Sequence, residues 1–143
     1  MLVAHVLKAK GARVATVTSE TSIGAVATEL ARHRIGALVV SPDGALIEGI
    51  VSERDVVRCL SDLWPDLLSE PVSTIMSTMV CTCAPDDHVE SIMALMTERR
   101  IRHVPVVAHG RLSGIISIGD VVKSRIGELE RDRHELLEYI SAR

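Results

Sequence analysis

Two stretches of the chain carry the same order of apolar and polar positions. One runs TVTSETSIGAVATELARHRIGALVV from Thr16 to Val40, the other TCAPDDHVESIMALMTERRIRHVPVV from Thr82 to Val107. Aligned from their first residues, Ile23, Val26, Ala27 and Leu30 fall opposite Val89, Ile92, Met93 and Met96. That i, i+3, i+4, i+7 spacing is one face of an amphipathic helix. Thr21 or Ser22 caps the first helix, and Asp87 with Glu90 makes a capping box for the second. Each helix is followed by a short apolar run, Ala37 to Val40 and Val104 to Val107, which predicts a buried strand. A turn comes next, Ser41-Pro42-Asp43-Gly44 in the first copy and Ala108-His109-Gly110 in the second. The first copy has one extra residue in this loop. GIVSERDVV, from Gly49 to Val57, then matches GIISIGDVV, from Gly114 to Val122. Each predicts a strand, a tight exit and a helix starting near Asp55 or Asp120.

Each copy is therefore strand, helix, strand, strand, helix. One such unit leaves a sheet face uncovered, and two packed together bury it. The expected fold class is α+β: two tandem β-α-β-β-α repeats packed as an intramolecular pseudo-two-fold pair, with a long C-terminal helix. The boundaries read as a first repeat over 10–62, a linker over 63–77, a second repeat over 78–125 and a helical extension over 126–143. Trp64-Pro65 and Glu70-Pro71 mark the linker. Residues 1–15 predict a short helix with Val3, Val6 and Leu7 on one face, leading through Gly11 into a strand. Val122, Ile126, Leu129, Leu136, Leu137 and Ile140 continue the last helix. Its other face is charged, through Glu128, Glu130, Arg131, Asp132, Arg133 and Glu135. An apolar stripe of that length needs a cover, and the expected cover is a second copy of the chain.

Composition narrows the function classes. The chain has 143 residues, 47% hydrophobic and 24% charged, which is globular. Its apolar runs are too short to span a bilayer, and its N-terminus lacks the order of a secretory signal. The expectation is a cytoplasmic protein without a membrane partner. Net charge is −3, so no basic field attracts nucleic acid. Phe is absent, and Trp64 and Tyr139 are the only aromatics, so no platform for stacking bases exists. Three cysteines without an export signal predict reduced thiols. Cys81-x-Cys83 has no second pair to complete a metal site. Strand alternation puts both thiols on one face, as a buried core pair. His33, His88, His109 and His134 stand apart, as solvated surface residues. Arg99, Arg100 and Arg102 form a basic cluster, two of them at a solvated helix end. No G-x-G-x-x-G, Walker lysine, G-x-S-x-G or H-E-x-x-H motif occurs, and no catalysis by this chain alone is expected.

These features resemble the CBS domain, named after cystathionine β-synthase, whose tandem pair is called a Bateman module. Both copies carry the family's closing signature, a Gly, two aliphatics and [Ser/Thr]-x-x-[Asp/Asn], here GIVSERD and GIISIGD. RIRHVPVV is similar to the family's basic pair followed by an aliphatic and Pro. The resemblance covers roughly residues 10 to 125. A lone Ser-x-x-Asp is a weak signal, because it is also a helix cap. Two copies inside matching frames are specific. Small stand-alone bacterial CBS-pair proteins are the kind of relative implied. The resemblance further implies a regulatory, ligand-sensing homodimer acting on a protein the sequence does not name. The implied ligand is an adenosine nucleotide (AMP, ADP, ATP or NAD(H)) in the clefts between the repeats. S-adenosylmethionine is a further candidate, and no catalytic cofactor is implied.

The residues admit that reading. A helix N-terminus offers unpaired N–H groups and partial positive charge, which suit phosphate. Ser52 or Ser117 adds a hydroxyl. Asp55 and Asp120 suit the vicinal ribose hydroxyls, the role the resemblance implies. Aliphatic walls for adenine come from Ile50 or Ile115 and from Ile35 or Ile101. Val80 and Ala84, with Val14 and Thr18 in the first copy, resemble positions that meet the base. Arg102, His103 and Arg54 reach for phosphate, with Arg favoured for its fork geometry. The first copy departs from the pattern, with Gly36-Ala37 opposite Arg102-His103. An alternative stays open at this point: a ligand-independent dimerisation scaffold whose Ser-x-x-Asp corners are only helix caps.

Overall fold

The computed structural model describes residues 1–62 and 66–142. Trp64-Pro65 of the expected linker lie outside them. The chain begins with α1 (Val3–Lys10), followed by β1 (Thr16–Val17), α2 (Ile23–His33), β2 (Ala37–Val40), β3 (Gly49–Ser52) and α3 (Glu53–Ser61). Single 3₁₀ turns at Leu67–Ser69 and Val72–Thr74 lead to α4 (Val89–Arg99), β4 (His103–Ala108), β5 (Arg111–Ser117) and α5 (Ile118–Ser141).

In the first half β1 runs parallel to β2, which pairs antiparallel with β3. In the second half β4 and β5 form an antiparallel pair. The counterpart of β1 is there reduced to one parallel bridge, Cys83 to Val106, equivalent to Val17 with Val40. The β4–β5 turn places His109 and Gly110 at φ +53° and +72°, the geometry of a two-residue hairpin turn. The longer first loop is tied by its own side chains. Asp43 Oδ1 accepts the Ala45 and Leu46 N–H groups at 2.8 and 2.9 Å, which holds its carboxyl below the usual range.

Each half has its own core. Ile23, Val26 and Leu30 of α2 pack with Val17, Leu38, Val51 and Val56. Val89, Ile92 and Met96 of α4 pack with Val104, Val106, Ile116 and Val121. Segments outside the repeated pattern complete both cores. Val3, Val6 and Leu7 of α1 join the second core, and Leu67 and Val72 join the first. Part of the expected linker is thus core: Val72 N–H donates to Thr21 O at 2.7 Å, and Ile23 N–H donates to Glu70 O at 2.9 Å. Gly49 and Gly114 lie where these segments cross. A Cβ at Gly49 would stand 2.7 Å from Met76 Sδ, and one at Gly114 would stand 2.7 Å from Leu7 Cδ2.

Three local expectations are corrected. Ser22 caps α2 through Ala25 N–H at 3.1 Å, but α4 has no Asp87–Glu90 box. His88 is its N-cap, and Asp87 Oδ2 instead accepts Ala84 N–H at 2.8 Å within the preceding turn. Met93 lies at the edge of its helix face and is 41% exposed. Cys83 is buried as core, whereas Cys81 is half-buried, because only Cys83 makes a strand-like bridge and Cys81 precedes it in irregular backbone.

α5 is 24 residues long, about 36 Å. Residues 129–142 are all exposed, among them Leu129, Leu136, Leu137 and Ile140. No helix among the described residues is long and apolar enough to cross a membrane.

Candidate functional site

β3 and β5 each end in a serine that caps the helix beginning at the next residue. Asp55 N–H donates to Ser52 Oγ at 3.3 Å, and Ser52 N–H returns to Asp55 Oδ2 at 2.8 Å. Asp120 N–H donates to Ser117 Oγ at 3.2 Å, and Ser117 N–H returns to Asp120 Oδ2 at 2.8 Å. Both are complete capping boxes. The first N–H of each helix is also matched: Glu53 N–H donates to Gly36 O at 2.9 Å, and Ile118 N–H donates to Arg102 O at 2.8 Å. Capping uses one oxygen of each carboxylate. Among the described hydrogen bonds, all those to Asp55 and Asp120 end on Oδ2. Cap and ligand roles are therefore compatible, because Oδ1 is left for further donors.

A cavity of about 550 Å³ opens between the halves at the first corner. The first repeat lines it with Gly36, Ile50, Ser52, Arg54 and Asp55, and the second with Val80, Ile101, Arg102 and His103. Nine expected site residues thus meet in one place. Ile35 instead lines a groove between α2 and α3, with Leu30 and Val56. Thr18 bonds to Thr21, and Ala84 is held in the Asp87 turn. Val14, Thr18, Ala84, Ile115, Ser117 and Asp120 lie outside both cavities.

The cavity also gathers residues the sequence reading missed. Arg58, Arg100, Glu53, Ser77, Met79 and Cys81 line it. Arg58 had a signal, since it follows Arg54 by one helical turn on α3. Of the Arg99–Arg102 cluster, only Arg99 stays out of the cavity. Arg100 ends α4 in the left-handed region at φ +55°. The wall thus holds four arginines against two carboxylates, Glu53 and Asp55.

His103 crosses from the second half to the first. A Cβ at Gly36 would stand 2.9 Å from His103 Cε1, so glycine at that position makes room for the ring. Burial pushes the imidazole below its ordinary pKa, and the neighbouring Glu53 carboxylate opposes this only in part.

The second corner holds a different environment. Lys10 Nζ lies 2.7 Å from Asp120 Oδ2 and 2.9 Å from Ile115 O. Burial alone would raise the Asp120 carboxyl. The Lys10 ammonium and the Ser117 donors outweigh it and leave the group below the usual carboxylate range.

The family model of the CBS domain matches residues 10–62 and 72–127, two copies that include both corners. The chain belongs to the CBS domain family. It is 35% identical over 136 residues to the mitochondrial CBS domain-containing protein CBSX3 of Arabidopsis thaliana. That match covers 92% of this chain and 66% of the CBSX3 length. The CBS-domain containing protein ATU1752 of Agrobacterium tumefaciens has a similar structure, with TM-score 0.84 and 42% identity over 87% of this chain and 99% of that one. The CBS domain protein PAE2072 of Pyrobaculum aerophilum, complexed with AMP, has TM-score 0.75 and 31% identity, covering 84% of this chain and 89% of that one. The CBS domain pair of protein MJ0100, in complex with 5′-methylthioadenosine and S-adenosyl-L-methionine, has TM-score 0.79 and 26% identity over 90% and 98% of the two chains.

Proposed function

We propose that this CBS pair is a non-catalytic sensor of adenosine nucleotides whose ligand sits in the cavity at the Asp55 corner. The observation that carries the reading is the convergence of Arg54, Arg58, Arg100 and Arg102 beside a capped helix N-terminus bearing a carboxylate. Arginines in that number answer phosphate. In this reading Asp55 takes the ribose hydroxyls, and Ile50, Val80 and Ile101, which line the same cavity, give aliphatic faces to the base. The AMP in PAE2072, and the two adenosyl compounds in MJ0100, support the ligand class. AMP or ATP fits the arginine cluster best, with NAD(H) as a longer version of the same chemistry. S-adenosylmethionine, with no phosphate, would leave the arginines unanswered. The binding unit comprises repeats over 10–62 and 78–125, and a ligand touching both halves alters the angle between them if its affinity differs between the two states. A partner protein then reads the change.

The test is a thermal-shift titration with AMP, ATP, NADH, S-adenosylmethionine and GTP. A ligand at 100 times its Kd stabilises by about 2.7 kcal/mol, roughly 5–10 °C in a domain of this size. A shift with an adenosyl compound and none with GTP supports the reading. No shift with any of them, from ligand-free protein, overturns it.

A scaffold reading has an observation of its own, the exposed stripe of Ile126, Leu129, Leu136 and Ile140 on α5. We propose a homodimer through this stripe under either reading. Sedimentation of Leu129→Asp/Leu136→Asp as a monomer, against a dimeric parent, is the expected result; a monomeric parent at micromolar concentration overturns it.

A further inference from the structure

We infer that Lys10 is a built-in stopper of the second cleft, so that each chain takes up one nucleotide rather than two. The inference rests on the nucleotide reading above. By sequence the two corners are equivalent: Ile50, Ser52 and Asp55 match Ile115, Ser117 and Asp120. Their capping boxes are equivalent too, with the serine N–H to carboxylate bond at 2.8 Å in both. What differs is the group set against each corner.

At the first corner the backbone of Ser77 pairs with Ile50 in both directions, at 3.0 and 2.9 Å. That leaves Asp55 without a cation bonded to it among the described ion pairs, beside the open cavity. At the second corner Ile115 pairs with Pro105 inside the hairpin, and among the described residues no segment bridges its outer side as Ser77 bridges Ile50. The Ile115 carbonyl instead accepts from the Lys10 ammonium, and the same ammonium binds Asp120. Two of its three protons are thereby directed at the acceptors of this corner. The ammonium stands against Oδ2, beside the approach to the remaining oxygen, and offsets the charge that would attract ribose hydroxyls.

Lys10 is placed there by the fold. It ends α1, which is fastened to the second half by Val3 N–H to Asp87 O at 2.9 Å and Ala4 N–H to Pro85 O at 2.8 Å. One turn before Lys10, Leu7 is buried in the second core and lies against Gly114. The ion pair is largely shielded, with side chains 33% and 19% exposed. A ribose hydroxyl would have to displace a bond with charge on both partners, where its own bond to the carboxylate has charge on one only.

The test is AMP stoichiometry by titration calorimetry on the full chain, with Lys10→Met, which keeps the apolar stem and removes the charge. Lys8→Met, an exposed lysine of the same helix turn, is the control. The expected result is one AMP per chain in the parent and in Lys8→Met, and two in Lys10→Met. Lys10→Gln repeats the test if the methionine variant does not melt cooperatively. Two AMP per chain in the parent, or one in both Lys10 variants, overturns the stopper and leaves the nucleotide reading standing. No AMP bound by the parent or by any variant overturns both.

Discussion

Removing the Asp55 carboxylate separates a ribose acceptor from a mere helix cap. Hydrogen bonds to a charged acceptor are worth about 1.5–3 kcal/mol, so Asp55→Ala is expected to weaken AMP roughly 10- to 100-fold. The same change breaks the bond from Ser52 N–H at 2.8 Å and costs about 1 kcal/mol of stability. Ser52→Ala is the matched control, because it removes the cap hydroxyl and keeps the carboxylate. Asp120→Ala is the second control: its box is the same, but its carboxylate is already taken by Lys10, so AMP affinity should stay within about twofold. The assay is titration calorimetry with AMP and with 2′-deoxy-AMP, well below the melting temperature of each variant. The parent should prefer AMP, and Asp55→Ala should lose the preference. Loss of the AMP preference in Ser52→Ala to the same extent as in Asp55→Ala would refute the argument, since helix geometry rather than the carboxylate would then read the ribose. So would a preference for AMP that survives in Asp55→Ala.

Further consequences follow from single groups. Cys59 and Cys83 are buried, and burial pushes the Cys83 thiol up to about 12, so Cys81 on the cavity wall should be the maleimide-reactive thiol of the native protein. Saturating AMP should slow its labelling, and an unchanged rate would put the ligand elsewhere. His103 titrates below 6.5 in the fold, so the unfolded chain binds more protons just below pH 6.5. Stability should therefore rise with pH from the depressed folded value up to 6.5, and His103→Gln should remove that slope from a pH series of denaturant melts. Gly49→Ala should cost about 1–3 kcal/mol, because its Cβ meets the Ser77 carbonyl at 2.8 Å within a paired bridge. Gly127→Ala, with nothing within 4 Å on a helix, should instead add about 1 kcal/mol, seen as a higher Tm.

What could be read in the sequence was what repeats. Ile23, Val26 and Leu30 mark a buried face because burial follows helical period, and Val89, Ile92 and Met96 confirm it in the second copy. Met93 sits at the margin of that face, where neighbouring elements and not the period decide exposure. Asp87 has the right spacing to Glu90 for a cap, but the helix begins at Val89, and its N-cap is the next residue along, His88. Cys81 was assigned by alternation, which holds only where the chain is a strand. The largest departure concerns the site. A duplicated pattern predicts two equal corners, and the local geometry of both corners is in fact the same. Their inequality comes from single residues that the duplication does not repeat. Lys10 belongs to α1 and meets Asp120 across 110 positions, a pairing that no periodicity encodes. Gly36 likewise departs from the pattern of the second copy, and the reason is the His103 ring of that copy, which lies against it. In a duplicated fold, then, the repeat locates the corners, and the residues that break the repeat make the two corners differ.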